Sequence, residues 1–370
     1  MNKNNVYIYY SNATDVTGKK LVKGLGVKGT TKQPLDKNME MVIGWGAKTK
    51  ADLPAFPKGV KILNHPDAIR INRNKFEAIN IMAKALNTNG EKHVAEAITA
   101  DKIKEAISDN KVSYPFIGRR KYHQGGKGFW NCPTVAQLDN AIADGAHHFQ
   151  HIIAVKNEYR LHVLNGTVIH ASKKVQRTED EFKKAWIEDE FNRQISLWKK
   201  NNTGKFDEAQ AKEMLRRQAN DAVKGGPNSL LRSNKMGWKF SIVKKYPKAL
   251  ETIAIKAVKA LNLDFGAVDC CIDVNNNPWV FEVNTGPGLE GTSLQKYIDA
   301  FEEIIAGKKT VASTTSDSGT DAEHTFMRMQ CDSMKAQLNR LSSMLDEVTD
   351  PAELAAIKTL GTKLIFGGQM

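Results

Sequence analysis

Residues 266–294 read GAVDCCIDVNNNPWVFEVNTGPGLEGTSL, and the fold turns on how this stretch pairs with itself. Two runs of strand-forming residues, 266–274 and 279–285, flank Asn275, Asn276, Asn277 and Pro278, which favour turns. The spacing predicts a β-hairpin. With a four-residue loop, Val274 faces Trp279, and the register sets Asp269 opposite Asn284, Cys271 opposite Glu282 and Asp273 opposite Val280. Side chains alternate along a strand, so Asp269, Cys271, Asp273, Glu282 and Asn284 share one face. Val268, Cys270, Ile272, Val274, Trp279, Phe281 and Val283 share the other, as a sheet buried on that side requires. Cross-strand and diagonal neighbours lie about 5 to 8 Å apart, close enough for Asp269, Glu282 and Asn284 to hold one or two hard cations. An amphipathic hairpin with a wet outer face shows the same alternation. Here, however, Glu282 and Asn284 sit where an apolar strand runs into Thr285-Gly286-Pro287-Gly288, which favours the metal reading.

Upstream of the hairpin, Leu250, Ile253, Ala257 and Leu261 mark an amphipathic helix leading into it. Further back, Tyr114–Ile117 reads as a strand that opens into Gly118-Arg119-Arg120-Lys121-Tyr122-His123-Gln124-Gly125-Gly126-Lys127-Gly128-Phe129. Such a glycine-rich cationic loop lets backbone N–H groups approach phosphate while basic side chains offset its charge. Residues 149–155, 158–164 and 168–174 follow as strands. In the middle one Glu158, Arg160 and His162 share a face, and a charged face on an interior strand implies a polar cleft. Residues 176–230 are dense in both signs of charge and read as a helical insertion that shapes substrate access.

The first part of the chain gives short buried strands at Val6–Tyr10, Met41–Ile43 and Val60–Leu63, a small α/β module. From Pro66 the pattern turns helical, with Phe76, Ile79, Ala83 and Leu86 on one side. Lys75 lies at a helix start, where a cation is unfavourable unless something anionic is near. The GxGxxG at Gly24, Gly26 and Gly29 follows no strand and precedes Pro34, so it is not a dinucleotide fingerprint. His147, His148 and His151 share no spacing with a carboxylate and read as ordinary polar residues. After Ile305 the stretch VASTTSDSGTDAEH reads as a linker with no means of packing. Beyond it Met327, Cys331, Met334, Leu338, Leu341, Leu345 and Val348 repeat in a 4-3 pattern, a short coiled-coil seam that serves self-association or docking on the body. Asp350-Pro351-Ala352-Glu353 starts a second helix.

At 370 residues with 41% hydrophobic content, the chain has ample material for a core. No run approaches the roughly 18 apolar residues that cross a bilayer, and MNKNN is unlike a secretion signal, so a cytoplasmic setting is expected. Cys132, Cys270, Cys271 and Cys331 make no zinc spacing and read as reduced thiols. The formal charge of +13 favours acidic partners, nucleotides among them. No zinc finger, helix-turn-helix or aromatic RNA-binding motif accompanies that charge, which argues against nucleic acid as the partner.

AIKAVKALNLDFGAVD, FEVNTGPGLEG and the upstream Arg232-Ser233-Asn234 resemble the ATP-grasp superfamily, in particular its RimK-type ribosomal-protein glutamate ligases. GRRKYHQGGKGF and EYRLHV are also similar to ATP-grasp proteins carried by bacteriophages. The resemblance covers roughly residues 60–305. It implies an α/β (α+β) ATP-grasp fold: a small α/β domain at 1–65, the ATP-grasp domain at 66–308, a linker at 309–324 and a helical tail at 325–370. It implies ATP and one or two magnesium ions as cofactors. Carried over by position, Asp269, Glu282 and Asn284 match the metal ligands, and Lys75 matches a lysine that reaches the phosphates. Arg119 stands where the family usually has lysine, ahead of Gly125, Gly126 and Gly128; arginine keeps the charge but changes reach and geometry. Gln150, His151, Ile152 and Ile153 look like the hinge that recognises adenine. Arg160 and Lys173 or Lys174 occupy phosphate-side positions, and Arg232 and Asn234 look like contacts to substrate or acyl phosphate. The implied activity joins an amino acid, peptide or protein carboxylate to an amine through an acyl phosphate, in a cytoplasmic enzyme. The alternative is a nucleotide-binding scaffold that has lost turnover.

Overall fold

The computed structural model describes residues 1–47, 56–121, 128–201, 207–222, 232, 234–308 and 315–317. The chain opens with β1 (Val6–Tyr10), α1 (Val16–Leu25), β2 (Lys28–Thr30), β3 (Met41–Trp45) and β4 (Lys61–Leu63). These strands pair in parallel in the order β2-β1-β3-β4. Asp15 caps α1 by accepting from the Gly18 N–H at 2.8 Å, and Gly26, in the left-handed region at φ 64°, ends it. The GxGxxG glycines thus close a helix, whereas a dinucleotide site needs them to open one.

Next come α2 (Pro66–Arg73) and α3 (Lys75–Leu86), where the sequence pattern reads as one helical stretch. Asn74, in extended conformation, breaks it and makes Lys75 the first residue of a new helix. After β5 (Ile98–Thr99) and α4 (Ile103–Ser108), β6 (Phe116–Arg119), β7 (Phe129–Cys132), α5 (Val135–Ala143) and β8 (His148–His151) complete a small antiparallel sheet of order β5-β8-β6-β7. The basic, glycine-rich segment joins β6 to β7. Of its glycines Gly128 is described, at φ 66°, and its carbonyl accepts from the Arg120 N–H at 3.2 Å. Gly125 and Gly126 lie outside the described residues.

The chain then crosses to a second sheet through β9 (Val155–Leu164) and β10 (Thr167–Gln176). The charged segment that follows forms α6 (Glu179–Asn201) and α7 (Glu208–Ala222), inserted between β10 and its hairpin partner β11 (Trp238–Ile242). β12 (Lys245–Pro247), α8 (Lys248–Ala260), β13 (Phe265–Asp273), β14 (Pro278–Asn284), α9 (Gly291–Ile305) and β15 (Thr315–Asp317) end the described chain. The large sheet is antiparallel with order β11-β10-β9-β13-β14, so the strand carrying Glu158 and Arg160 is its centre. One face of this sheet is apolar. Tyr159, Leu161, Val163, Val268, Cys270, Ile272, Val280 and Val283 pack with Leu250, Ile253, Ala254 and Ala257 of α8 and with Ile79, Met82 and Ala83 of α3. Each large side chain so buried contributes about 1.5–3 kcal/mol. Cys132, Cys270 and Cys271 are buried free thiols. Among the described residues no helix is long and apolar enough to cross a membrane.

β15 corrects one expectation. Thr315–Asp317, read as linker, pairs in parallel with β12. A strand edge offers main-chain hydrogen bonds to any extended segment, so polar Thr and Ser suffice where no apolar side chain is available. The coiled-coil residues 327–348 lie outside the described residues.

The N-terminal sheet is bound to the large one by an apolar cluster in which Trp45 stacks on Phe265 at 5.6 Å, and by polar contacts at Asn64 and Gly46. Asn64, fully buried at φ 56°, accepts from the N–H groups of Asp264 at 2.8 Å and Phe265 at 3.1 Å and donates to the Phe265 carbonyl at 2.9 Å. Gly46, at φ 54°, donates its N–H to the Thr285 carbonyl at 3.0 Å, and a Cβ on it would lie 3.2 Å from the Gly286 Cα.

Candidate active site

The hairpin forms, but in a different register. Asp269 lies directly opposite Glu282, and Asn284 opposite Ala267. The reason is the turn: Asp273 accepts from the N–H groups of Asn275 at 2.9 Å and Asn277 at 2.8 Å, and its own N–H meets the Asn277 carbonyl. The chain therefore reverses inside Asp273–Asn277, pairing Ile272 with Pro278, and the partners slide by two or three residues. A bulge at Phe281, between the pairs Asp269–Glu282 and Cys270–Val280, then switches the phase of β14. Val280 enters the core, and Trp279, expected there, is instead partly exposed with its indole Nε1 donating to Asp273 Oδ2 at 2.9 Å. Phe281 also leaves the core. Asp273 is a turn clamp: burial would raise its pKa, but the donors from Trp279, Asn277 and Asn275 hold it below the ordinary carboxylate range.

The shift by two leaves Asp269, Glu282 and Asn284 on one face and brings the two acids closer than expected. Asn284 Nδ2 donates to both, to Asp269 Oδ2 at 3.3 Å and to Glu282 Oε1 at 3.1 Å. Pairing across the sheet extends this row: Ile242, Ser172, Arg160, Asp269 and Glu282 lie side by side on β11, β10, β9, β13 and β14. Arg160 grips Asp269 in a fork, Nε to Oδ1 at 2.6 Å and Nη2 to Oδ2 at 2.7 Å. Burial would depress the Arg160 pKa, but Asp269 more than offsets it and the net shift is upward.

Glu282 collects cations from two other elements. Lys75, from the first turn of α3, places Nζ 3.4 Å from Glu282 Oε2 and 3.4 Å from the Val283 carbonyl. Arg119, at the end of β6, acts on the same carboxylate. Burial would raise the Glu282 pKa, yet Lys75, Arg119, the Asn284 amide and Arg160 pull it down to about 2. The anion that the sequence asked for beside Lys75 is Glu282. Arg119 is partly buried and packs over the Phe129 ring at 5.8 Å; burial lowers its pKa and Glu282 pushes back.

A second row lies beside the first: Phe240, Lys174, Glu158, Cys271 and Trp279. Lys174 Nζ pairs with Glu158 Oε1 at 2.5 Å. Burial raises the Glu158 pKa against the pull of Lys174 and, more weakly, Arg232. Lys173 faces the other side of the sheet, over the Tyr159 ring at 5.9 Å, so of the two lysines Lys174 looks into the cleft. Arg232 lies over the Trp238 ring at 4.8 Å and donates to the Val155 carbonyl at 3.0 Å. Asn234 is exposed at the rim, where its side chain accepts from Arg177, so it stands apart from the metal-side residues. Gln150, His151, Ile152 and Ile153 carry the chain from the small sheet to the large one. Gln150 Nε2 donates to the Ala95 carbonyl at 2.7 Å, and the Ile152 N–H meets the Pro115 carbonyl at 3.1 Å.

At the far end of the same face, His162 and His170 are buried under α9, His162 Nδ1 3.1 Å from the Tyr297 hydroxyl and His170 Nε2 2.9 Å from Ser293 Oγ. That helix closes the cleft on one side. His147 and His148 lie with their Nδ1 atoms 3.3 Å apart against Phe76, and His151 is exposed. Among the described residues no three His, Cys, Asp or Glu side chains gather as a metal group. Asp269 and Glu282 are a pair, completed by an amide.

Two residues of the cleft carried no role in the sequence reading. Glu158 was visible on the charged face of its strand, but its pairing with Lys174 needs the β9–β10 register. Phe240 holds its ring under Arg160 at 4.4 Å and Lys174 at 5.1 Å. Its signal, the alternation of Trp238, Phe240 and Ile242, lies in a short strand just beyond the insertion.

Residues 226–307 match the RimK-like ATP-grasp domain. That stretch contains α8, β13, β14 and α9. Over 81 residues it is 41% identical to a probable alpha-L-glutamate ligase 1 of Shewanella frigidimarina (strain NCIMB 400), a match covering 22% of this chain and 26% of that relative. The described fold is similar to the ATP-grasp ligase PsnB in complex with a phosphomimetic precursor variant, Mg and ADP: TM-score 0.50, 13% identity, covering 83% of this chain and 99% of that one. It is likewise similar to N5-carboxyaminoimidazole synthetase from Staphylococcus aureus complexed with ADP, with TM-score 0.50 and 12% identity over 85% of this chain and 79% of that one. At these identities the likeness is one of fold. The matched stretch supplies β11, β13 and β14 of the large sheet, and with them Asp269, Glu282 and Asn284.

Proposed function

We propose that the chain is an ATP- and magnesium-dependent carboxylate–amine ligase. The observation that carries this reading is the convergence of Asp269 and Glu282 on one Asn284 amide, ringed by Arg160, Lys75 and Arg119. Hard oxygen donors aimed at one point suit magnesium, and Asp269, Glu282 and Asn284 would hold it. When bound, magnesium offsets charge on the phosphate oxygens of ATP.

The chain's own residues have the remaining tasks. The backbone at Gln150–Ile153 and the Gly125, Gly126 and Gly128 segment would take adenine and phosphates, with Lys75 and Arg119 neutralising them. An acid substrate's carboxylate oxygen attacks the γ-phosphorus and the bond to ADP breaks, giving an acyl phosphate. An amine then attacks its carbonyl carbon, forming the amide and releasing phosphate and one proton. Arg160 and Lys174 face the transferring group, and Arg232 reaches the acid from the Trp238 side. Asn234, turned to Arg177, supports the Arg232 segment in this scheme. Little covalent chemistry falls to the protein; alignment and charge supply the acceleration.

The test is ADP release with magnesium and a panel of amino acids and peptides. Wild type turns over with at least one acid–amine pair, and Glu282→Gln lowers that turnover by about 10²-fold or more. ATP binding without ADP release on every acceptor would instead identify a scaffold that has lost turnover.

A further inference from the structure

The buried face of α2 is apolar at Pro66, Ala68 and Ile69, and then carries Asn72, which is 3% exposed. A polar side chain in that position needs a partner. Asn72 Nδ2 finds one 211 positions away, donating to the Val283 carbonyl at 2.9 Å. Val283 belongs to β14, which ends the large sheet, and among the described residues no strand pairs with the outer side of β14. That side is held at separate points instead. The Val280 N–H donates to the His93 carbonyl at 2.8 Å, His93 Nδ1 donates to the Pro278 carbonyl at 3.0 Å, and the Thr285 carbonyl accepts from the Gly46 N–H at 3.0 Å. Between these points, at Val283, stand Asn72 and Lys75, whose Nζ is 3.4 Å from the same carbonyl.

We infer that Asn72 is a positioning residue for the metal side of the cleft: by holding the Val283 carbonyl it fixes Glu282 and Asn284, which flank Val283. The inference rests on the reading of those two residues as magnesium ligands and adds the residue that aims them. The Val283 side chain is in the core, and its carbonyl belongs to the peptide plane that leads into Asn284. Fixing the carbonyl fixes the rotation of that plane, and with it the direction from which the Asn284 amide meets Asp269 and Glu282. The strand needs this help, because it has a neighbour on one side only and the bulge at Phe281 disturbs that pairing directly before Glu282. Lys75 is a poor tether. Its Nζ is equally far, 3.4 Å, from Glu282 Oε2, and its positive charge competes with any cation for that carboxylate. Asn72 is neutral and closer, so its hold does not depend on what Glu282 binds. Packing alone would not call for an amide here, since Asn72 Oδ1 is buried and meets no donor among the described residues, a cost that leucine of similar size avoids. What the amide contributes is the donor.

The experiment is titration of the full-length protein with manganese(II) in the presence of ADP, free manganese being read by electron paramagnetic resonance, with thermal melts to verify that each variant is folded. Wild type binds the ion. Asn72→Leu removes the donor at nearly constant size and lowers the affinity for manganese by about tenfold or more. His93→Ala removes the side-chain contact at Pro278, on the same edge but farther from the acids, and leaves the affinity at the wild-type value. Should Asn72→Leu fold poorly, Asn72→Ala, which favours the helix, carries the same expectation. Wild-type manganese affinity in a folded Asn72 variant overturns the positioning role and leaves the metal reading standing. An equal loss in His93→Ala also overturns it, because the effect would then belong to the whole edge. Absence of manganese binding in wild type removes the metal reading, and the positioning role with it.

Discussion

Arg160 and Asp269 meet through two parallel hydrogen bonds at the middle of the sheet, with side chains 22% and 12% exposed. A fork of this kind loses more when one partner is removed than it contributes when whole, because the survivor keeps its charge without its match. Asp269→Asn leaves an amide that can accept at one oxygen only. The expected cost is about 2–4 kcal/mol in urea unfolding, and Arg160→Lys, which cannot form the fork, should lower stability by a smaller amount. A wild-type midpoint in Asp269→Asn would show that the pair holds nothing. At this scale the sequence was informative about identity and less so about geometry. Asp269, Glu282 and Asn284 stand out as oxygen donors beside an apolar run, and a slip of two residues keeps them on one face because strand alternation has period two. Arg119 and Lys75 come from distant segments, and only the assembled fold brings them to Glu282.

The β13–β14 turn is set by one carboxylate. Asp273 takes hydrogen bonds from Asn275, Asn277 and Trp279, and these hold its pKa below the usual value near 3.8. Because the folded form binds the proton less readily than the unfolded chain, the stability it contributes is complete above that usual value. It disappears as pH falls through the lowered folded value. Asp273→Ala should therefore unfold about 1–3 kcal/mol more easily at neutral pH, with the gap between variant and wild type narrowing in acid, as thermal melts across pH would record. A constant gap would mean that packing, not the charge, sets the turn. Elements were legible where periodicity was strong: α8, β9 and the helical insertion follow their patterns. They were not where one residue overrides a pattern. Asn74 splits α2 from α3, Phe281 shifts the phase of β14, and Asp273 shortens the loop to its own reach. Each is a local hydrogen-bond or bulge effect that no hydrophobic count detects.

Across the molecule, the N-terminal sheet is fastened by the apolar cluster around Trp45 and Phe265 and, at its edge, by Asn64, whose side chain replaces main-chain partners for Asp264 and Phe265. Its positive φ suits asparagine and strains alanine. Asn64→Ala should cost about 2–4 kcal/mol and Asn64→Asp no less, since the oxygen that replaces Nδ2 would face the Phe265 carbonyl in a buried site. Limited proteolysis of the alanine variant should cut the N-terminal sheet early, and unchanged protection would deny the fastening. Such a contact joins residues about 200 positions apart, which is why composition could announce a small α/β module but not its attachment. Close by, Gly46 and Gly286 touch backbone to backbone. One methyl group at either site would act as a wedge against main chain that cannot swing aside, and the loop it would lift begins just past Asn284. The floor of the cleft can thus be tilted from the N-terminal sheet by an uncharged substitution, a mechanical handle that leaves every ionised group in place.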